Sequence, residues 1–519
     1  MERTERDIEE DDSLENDIVE RLAAEAGPVA GTEAAAPPSA LTAFLTLFPS
    51  IFLPMFLAVI DQTIVAAALP SIAASVGNVH QISWVVVAYL LTATVAAPVY
   101  GRLGDLLGRR RLMLIALCVV LAGSLLCAIA DTLPVLVLGR IVQGLGGGGL
   151  MTLTQALVGE VVAPRDRPRY QGFLAAVAVS ASTFGPVAGG YLTEHLGWRS
   201  IFYLNIPLTL VALALALRLP NRLDSRREFR FDVKGMFLFA TAVIAALLAL
   251  NTLQTPTAET LPLVGALMAG AVVAAWLLFH EERRASVPLF PLDLLRAPSI
   301  WRSDALAFCH GAVLVGLVTV MPIYLRVVLG ASASEIGLLM LPMTAGVGIG
   351  SILTGQAAGR SGRTAIYPSI GLIGATATLL ILALYAHALD RAQMAVLLGV
   401  NSLFMGTVMG IVQVTVQVAA GPGMLGAASG SVQFSRSVGA AFGTALAMAV
   451  LFLTLAVGDP AAAAAFTDSV AQAHTAAATA LAGPVMDTIQ VAFRNAFLAI
   501  TAFSVAALAL AWTLPLRRL

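Results

Sequence analysis

The sequence predicts an all-α polytopic membrane protein, a bundle of about fourteen membrane-spanning helices, and three observations carry that reading. Hydrophobic residues make up 58% of the 519 residues and charged residues only 12%, roughly half the ~25% with which a soluble domain coats its surface. Apolar stretches recur from Leu41 to the C-terminus, each long enough to cross a hydrocarbon core of about 30 Å at about 1.5 Å per residue. Arginine and lysine gather in alternate connections between those stretches, as the topology of a membrane protein requires. A mean hydropathy of +0.86 agrees.

Residues 1–40 come first and stand apart. They hold 12 of the 31 acidic residues and 3 of the 30 basic ones, so a local charge of −9 masks a body of +8 behind the net −1. No basic segment followed by an apolar core is present there, so the segment does not read as a cleavable signal peptide. It is expected to be a disordered cytoplasmic tail with a short helix around Ser13–Ala24.

Six spans follow within the N-terminal half, 41–220, at 42–72, 82–103, 111–130, 133–157, 168–192 and 199–219. A pair at 233–252 and 261–280 lies in an insert, 221–299, with cytoplasmic linkers. Six more fill the C-terminal half, 300–519, at 303–328, 335–357, 364–387, 392–418, 425–456 and 490–515. The Ala-rich stretch 458–489 carries no Lys or Arg and reads as an outer loop. One set of alternate connections holds Arg109–Arg111, Arg165, Arg167, Arg169, Arg222, Arg226, Arg227, Arg230, Lys234, Arg283, Arg284, Arg296, Arg302, Arg360 and Arg363. The other holds a few, such as Arg199, Arg326 and Arg391. The positive-inside rule then places both termini in the cytoplasm. Cys118, Cys127 and Cys309 all sit in apolar stretches, with no spacing that suits a metal or a disulfide framework.

The halves are related by an offset of 254 residues. It aligns Gly101 with Gly355, Gly108 with Gly362, Arg109 with Arg363, Gly185 with Gly439 and Gly189 with Gly443. Internal repeats of this kind build many secondary transporters, with the substrate site between the repeats.

Two positions carry a charge where charge is costly. Asp61 lies about twenty residues into an apolar span, where an ionised carboxylate costs several kcal/mol unless paired, hydrated or protonated. A carboxylate balanced between those states either carries a proton or pairs with a cation, and that exclusion is a physical basis for exchange. A plain hydrogen-bonding role between helices is the alternative. Arg140, in span 4, cannot discharge itself by losing a proton; it either reaches outward to the membrane surface or meets a buried partner such as Asp61. Arg436 in span 13 needs a partner for the same reason. Between spans 2 and 3, the connection Gly101-Arg-Leu-Gly-Asp105-Leu-Leu-Gly108-Arg109-Arg110-Arg111 joins glycines that permit close approach to an aspartate able to face a helix N-terminus or an arginine. In span 5, Gly185, Pro186, Gly189 and Gly190 suggest close packing and a hinge. Gln62, Trp84, Tyr89, Gln143, Gln155, His310, Gln413 and Gln417 are polar or aromatic groups suited to lining a cavity, and Asp304 lies in the same span as His310.

The Gly101–Arg111 segment resembles the hallmark cytoplasmic loop of the major facilitator superfamily. Three further segments resemble one branch of it, the fourteen-helix drug:proton antiporters. They are Asp61-Gln-Thr-Ile64-Val65 with Ala-Leu69-Pro70 in span 1, Leu138-Gly139-Arg140-Ile-Val-Gln143-Gly144 in span 4, and Gly185-Pro186-Val-Ala-Gly189-Gly190 in span 5, followed by Trp198-Arg199 and Asn205-Ile-Pro207. The second half matches more loosely, through Pro322-Ile-Tyr324, Leu341-Pro342 and Arg436. The resemblance implies a major-facilitator-type fold and proton-coupled export of drugs and other toxic compounds, hydrophobic or cationic and amphipathic, by alternating access. It implies roles for Asp61, Arg140 and Arg436 in proton coupling or substrate binding, and a gating role for the Asp105 segment. The expected setting is a bacterial inner or plasma membrane, with protons and lipids as partners and no nucleic acid.

Lipid, siderophore or metabolite export on the same fold is the alternative. A membrane sensor or intramembrane enzyme is the reading from another class. No nucleotide-binding loop, metal-spaced His/Glu set or nucleophile–base pair is found in the sequence. The glycine run Gly144–Gly149 follows no strand, so it is not a dinucleotide site. No metal, no cofactor beyond the proton gradient and no catalytic residue is therefore expected.

Overall fold

The computed structural model describes residues 40–76, 81–219, 231–253, 260–285, 288–289, 292–459, 463, 466 and 483–518, without the side chains of 40–47, 292–293 and 333–334. The acidic tail with its expected helix lies outside the described residues, as does most of the 458–489 segment. Among the described residues, fourteen long helices run in order: α1 (Ala40–Val76), α2 (Trp84–Leu107), α3 (Arg109–Ala128), α4 (Leu133–Val161), α5 (Arg167–Leu196), α6 (Ser200–Ala216), α7 (Val233–Thr252), α8 (Leu261–Glu282), α9 (Pro298–Val327), α10 (Ala333–Ser361), α11 (Ile366–Tyr385), α12 (Arg391–Ala420), α13 (Leu425–Gly458) and α14 (Pro484–Trp512). Among the described residues, thirteen helices are long and apolar enough to cross a membrane. The remaining one, α6, has 17 residues, at the short end of the spanning range.

Local chemistry sets several ends. Gly108 is the single non-helical residue between α2 and α3, at φ 89°, a left-handed value that glycine adopts without a Cβ clash. The expected connection Gly101–Arg111 is therefore mostly helix: its first seven residues finish α2 and its three arginines open α3. Capping boxes start α10 (Ser332 with Glu335) and α12 (Asp390 with Gln393), each satisfying two backbone donors that a helix start leaves open. Arg391 of α12 reaches Glu335 at 2.9 Å and the carbonyl of Leu329 at 2.7 Å, which ties those two starts together.

Two separate hydrophobic cores form. One gathers side chains of α1 to α6, among them Leu57, Ile64, Leu117, Leu136 and Phe202. The other gathers α9 to α14, among them Leu317, Tyr324, Leu372, Leu398 and Phe493. A smaller third cluster joins Leu91, Val95 and Val99 of α2 to Phe239, Val243 and Leu247 of α7. This seats the inserted pair beside the junction of the halves, where Phe239 meets Phe434 of α13 edge-on at 5.2 Å. α8 lies outside α7 and leaves Val272 and Trp276 exposed. Within 458–489, Phe466 is buried in edge contact with Phe452 and Phe493 and belongs to the second core.

The halves meet through α2 against α13 and α5 against α10. These are the second and fifth helices of each half exchanged, the pairing a two-fold repeat produces. The 254-residue offset is visible in that geometry. A Cβ on Gly101 would strike the backbone of Gly426, and one on Gly355 would strike the carbonyl of Pro168, so both members of that glycine pair sit at crossings between the halves. Gly185 and Gly189 press on Thr63 and Ile64 of α1, while Gly439 and Gly443 press on Phe308 and Ala312 of α9. In each half the fifth helix uses its aligned glycines to approach the first.

Candidate functional site

Arg140 is fully buried and Asp61 nearly so, at 0% and 2% exposure. The guanidinium donates to the Asp61 carboxylate at 2.8 Å, to the Gln143 side-chain oxygen at 2.8 Å and to the backbone carbonyl of Val85 at 3.0 Å. It also lies over the ring of Tyr89, 4.3 Å from its centroid, a favourable place for a cation on an aromatic face. The other Asp61 oxygen accepts from Gln143 at 3.2 Å and from the side-chain amide of Asn205. Gln143 donates in turn to Ser124 at 2.9 Å. Five helices, α1, α2, α3, α4 and α6, therefore supply one polar knot in the apolar interior of the first half. Glycines let them approach: a Cβ on Gly123 would meet Gln143 at 2.6 Å, and one on Gly139 would meet Cys127 at 2.5 Å. Arg140 thus turns inward, onto the partner the sequence suggested, and does not reach the membrane surface. Sequence reasoning missed Asn205 and Ser124 as members. A lone amide within the mostly apolar α6 was the available signal for Asn205.

At the end of the bundle where α2 stops, Asp105 faces α13. Its two oxygens accept the backbone N–H groups of Gly426 at 2.9 Å and Ala427 at 2.8 Å, open donors of a helix start. Arg109 donates to Asp105 at 2.6 Å and also pairs with Glu160 at the end of α4. Glu160, one residue from the end of α4, is the third member of this latch. Arg110 donates to the carbonyl of Leu217, just past α6, at 2.6 Å. Nearby, Gln417 donates to the carbonyl of Gln155 across the halves at 2.9 Å, and Gly172 abuts Ser351. These crossings share one end of the bundle, and that end is shut.

Beyond the latch, a cavity of about 430 Å³ lies between the halves. Its wall comes from α1 (Gln62), α2 (Val87, Tyr89, Leu90, Thr94), α7 (Leu247, Asn251), α9 (His310, Leu314, Val315) and α13 (Gln433, Arg436, Ser437). Tyr89 belongs to both sites: its ring lies against the Arg140 guanidinium, the residue lines the cavity, and its hydroxyl donates to the carbonyl of Ala58 at 3.0 Å.

Gln62, Tyr89, His310 and Arg436 thus reach the cavity, and five expected lining residues, Trp84, Gln143, Gln155, Gln413 and Gln417, do not. Trp84 is 42% exposed at the start of α2. Gln143 belongs to the Asp61 knot, Gln413 donates to Ser429 at 2.7 Å, and Gln155 lies at the shut end. Gln143 and Gln413 met polar partners inside their own half, which sequence position cannot reveal. The span 5 motif divides as well. Gly185 and Gly189 pack on α1 within the first half, whereas nothing approaches Gly190 and Pro186 is exposed. α5 meets the second half through its earlier turns instead. Asp304 accepts from Ser431 at 3.2 Å and does not line the cavity.

The profile of the Major Facilitator Superfamily matches residues 51–444 of the chain. An uncharacterised MFS-type transporter of Mycobacterium tuberculosis is 36% identical over 405 residues, which cover 78% of this chain and 59% of that protein. The chain thus spans about six tenths of that relative's length. The multidrug transporter protein MdtP of Bacillus subtilis is 30% identical over 396 residues, covering 76% of this chain and 73% of its own. The crystal structure of the human organic anion transporter MFSD10 superposes with a TM-score of 0.63 at 15% identity, over 90% of this chain and 99% of that one. That last likeness is one of fold.

Proposed function

The chain belongs to the major facilitator superfamily, a membrane transporter and not an enzyme, and from that premise we propose that it exports hydrophobic or amphipathic small molecules in exchange for protons. The observation that carries the proposal is Asp61, a carboxylate buried in a spanning helix and answered by Arg140, Gln143 and Asn205 at once. Such a group is held as an anion only while its donors stay in place. A proton arriving at Asp61 removes the charge that Arg140 opposes and loosens the tie between α1 and α4. Tyr89, which touches the guanidinium on one side and the cavity on the other, carries that change to the substrate.

Alternating access follows from rocking of the two halves around the cavity. Protonation of Asp61 from outside favours release of substrate there, and its deprotonation toward the cytoplasm allows reloading. The Asp105 latch closes the cytoplasmic end in the outward-facing state. Support for the export reading comes from the apolar part of the cavity wall, from Val87 and Leu90 across to Leu314 and Val315, and from the 30% identity to a protein named a multidrug transporter. The setting is a bacterial plasma membrane with both termini cytoplasmic, since the basic connections fall on the side of the termini.

Purified protein in liposomes with an imposed pH gradient tests the reading. Wild-type protein is expected to move a fluorescent amphiphile against its gradient, and Asp61→Asn to lose the gradient-driven component while keeping passive equilibration. Undiminished pH-driven transport by Asp61→Asn would falsify the proton role of that residue.

A further inference from the structure

The first half holds a guanidinium with its own counter-ion, and the second half holds one without. Arg140 is sealed against Asp61. Arg436, on α13, lines the cavity, and among the described residues no hydrogen bond, ion pair or ring contact engages its guanidinium. None of the described residues lining that cavity is a carboxylate. Asp61 is spoken for by three donors, and Asp304, bonded by Ser431, lies off the wall. His310 does not offset Arg436: its Nε2 donates to the carbonyl of Met405 at 3.2 Å, so a neutral ring adds neither charge nor a second donor. Because a guanidinium keeps its proton, the cavity is a compartment with a fixed positive charge, a few neutral polar groups and a largely apolar wall.

We infer that the transported molecule is an amphipathic anion whose carboxylate, sulfonate or phosphate pairs with Arg436 while its apolar part lies against Leu90, Leu314 and Val315. The inference rests on the export reading and narrows its substrate class, away from the cationic amphiphile that an isolated Asp61 suggests. A cation in this cavity would face Arg436 with no carboxylate to turn to, whereas an anion supplies the counter-charge that a buried guanidinium needs.

Three probes of one shape test it: 4-(1-pyrenyl)butanoate, its N-methyl amide and 4-(1-pyrenyl)butylamine. Each is titrated into the full-length protein in zwitterionic lipid nanodiscs, with empty nanodiscs subtracted. The butanoate is expected to bind about ten-fold tighter than the amide, the scale of one charge-assisted hydrogen bond, and the amine weaker than both. Arg436→Gln is expected to bring the butanoate to within about two-fold of the amide, and Arg436→Lys to retain part of the preference. Wild-type binding of the three probes within about two-fold, or tightest binding of the amine, overturns the inference without recourse to any variant. Proton-driven export is measured separately in liposomes. A butanoate preference without pH-driven transport overturns the export reading alone, and pH-driven transport of the amine only overturns the anion inference alone.

Discussion

At the scale of single residues, the first half keeps a pair of opposite charges that neither member can abandon alone. Arg140 and Asp61 are both out of water and 2.8 Å apart. Removing one partner of such a pair leaves an uncompensated charge, at a cost of about 3–5 kcal/mol, while removing both is far milder. Arg140→Leu is therefore expected to lower the thermal transition of the detergent-purified protein markedly, and Arg140→Leu with Asp61→Asn to recover a large part of the loss. Additive losses in the double variant would show that the pair is not coupled. The surface pair of Arg391 and Glu335 makes the contrast. With both members more than 40% exposed, Glu335→Gln is expected to leave the same transition nearly unchanged, because solvent screens such a pair. Two ion pairs drawn at similar distances thus differ several-fold in consequence, and burial decides which matters.

At the scale of elements, closure at the shut end depends on how closely α2 and α13 can lie. Gly101 and Gly426 put backbone against backbone, and Asp105 then meets the first N–H groups of α13. Asp105→Asn keeps the packing and removes the charge. Hydrogen bonds to a charged group are worth roughly 1.5–3 kcal/mol, so the closed state should lose about ten-fold or more relative to the open one. Spin labels at Asp166→Cys and Arg360→Cys, at the neighbouring ends of α5 and α10, read this as a new long-distance population in electron–electron resonance. An unchanged distance distribution would mean that the latch carries no part of the closure. Gly101→Ala acts on the same junction sterically, since its methyl group has no room against Gly426, and is expected to produce the same long-distance population with Asp105 intact.

For the whole molecule, the arginine pattern makes a topological prediction. Asp166 lies in the basic α4–α5 connection and His387 in the exposed turn between α11 and α12. In intact cells a membrane-impermeant maleimide should label His387→Cys and leave Asp166→Cys untouched until the membrane is opened. The reverse pattern would invert the orientation and with it the direction of transport. Cys118, Cys127 and Cys309 lie within spanning helices, where an impermeant reagent that needs hydrated thiolate does not reach them. The inserted pair shows how additions to this architecture are tolerated. α7 finds apolar partners on α2 and α13 and contributes Leu247 and Asn251 to the cavity. α8 packs on α7 and otherwise faces outward, as hydrocarbon solvent permits.

Hydrophobic length, arginine placement and the 254-residue offset determined the helical membrane fold, its fourteen helices and its division into two halves with an insert, because each is a property of the chain in one dimension. They also marked the expensive charges, since Asp61, Arg140 and Arg436 stand out against apolar neighbours wherever they point. Only the tertiary structure decided how those charges are answered. Asp61 met Arg140 with Asn205 from 144 residues away, Glu160 met Arg109, and Arg436 came to line a cavity with no carboxylate among its described lining residues. Gln143 and Gln413 turned to partners inside their own half. The physical reason is that a polar group in an apolar solvent takes the nearest available partner, and nearness is set by which helix faces meet.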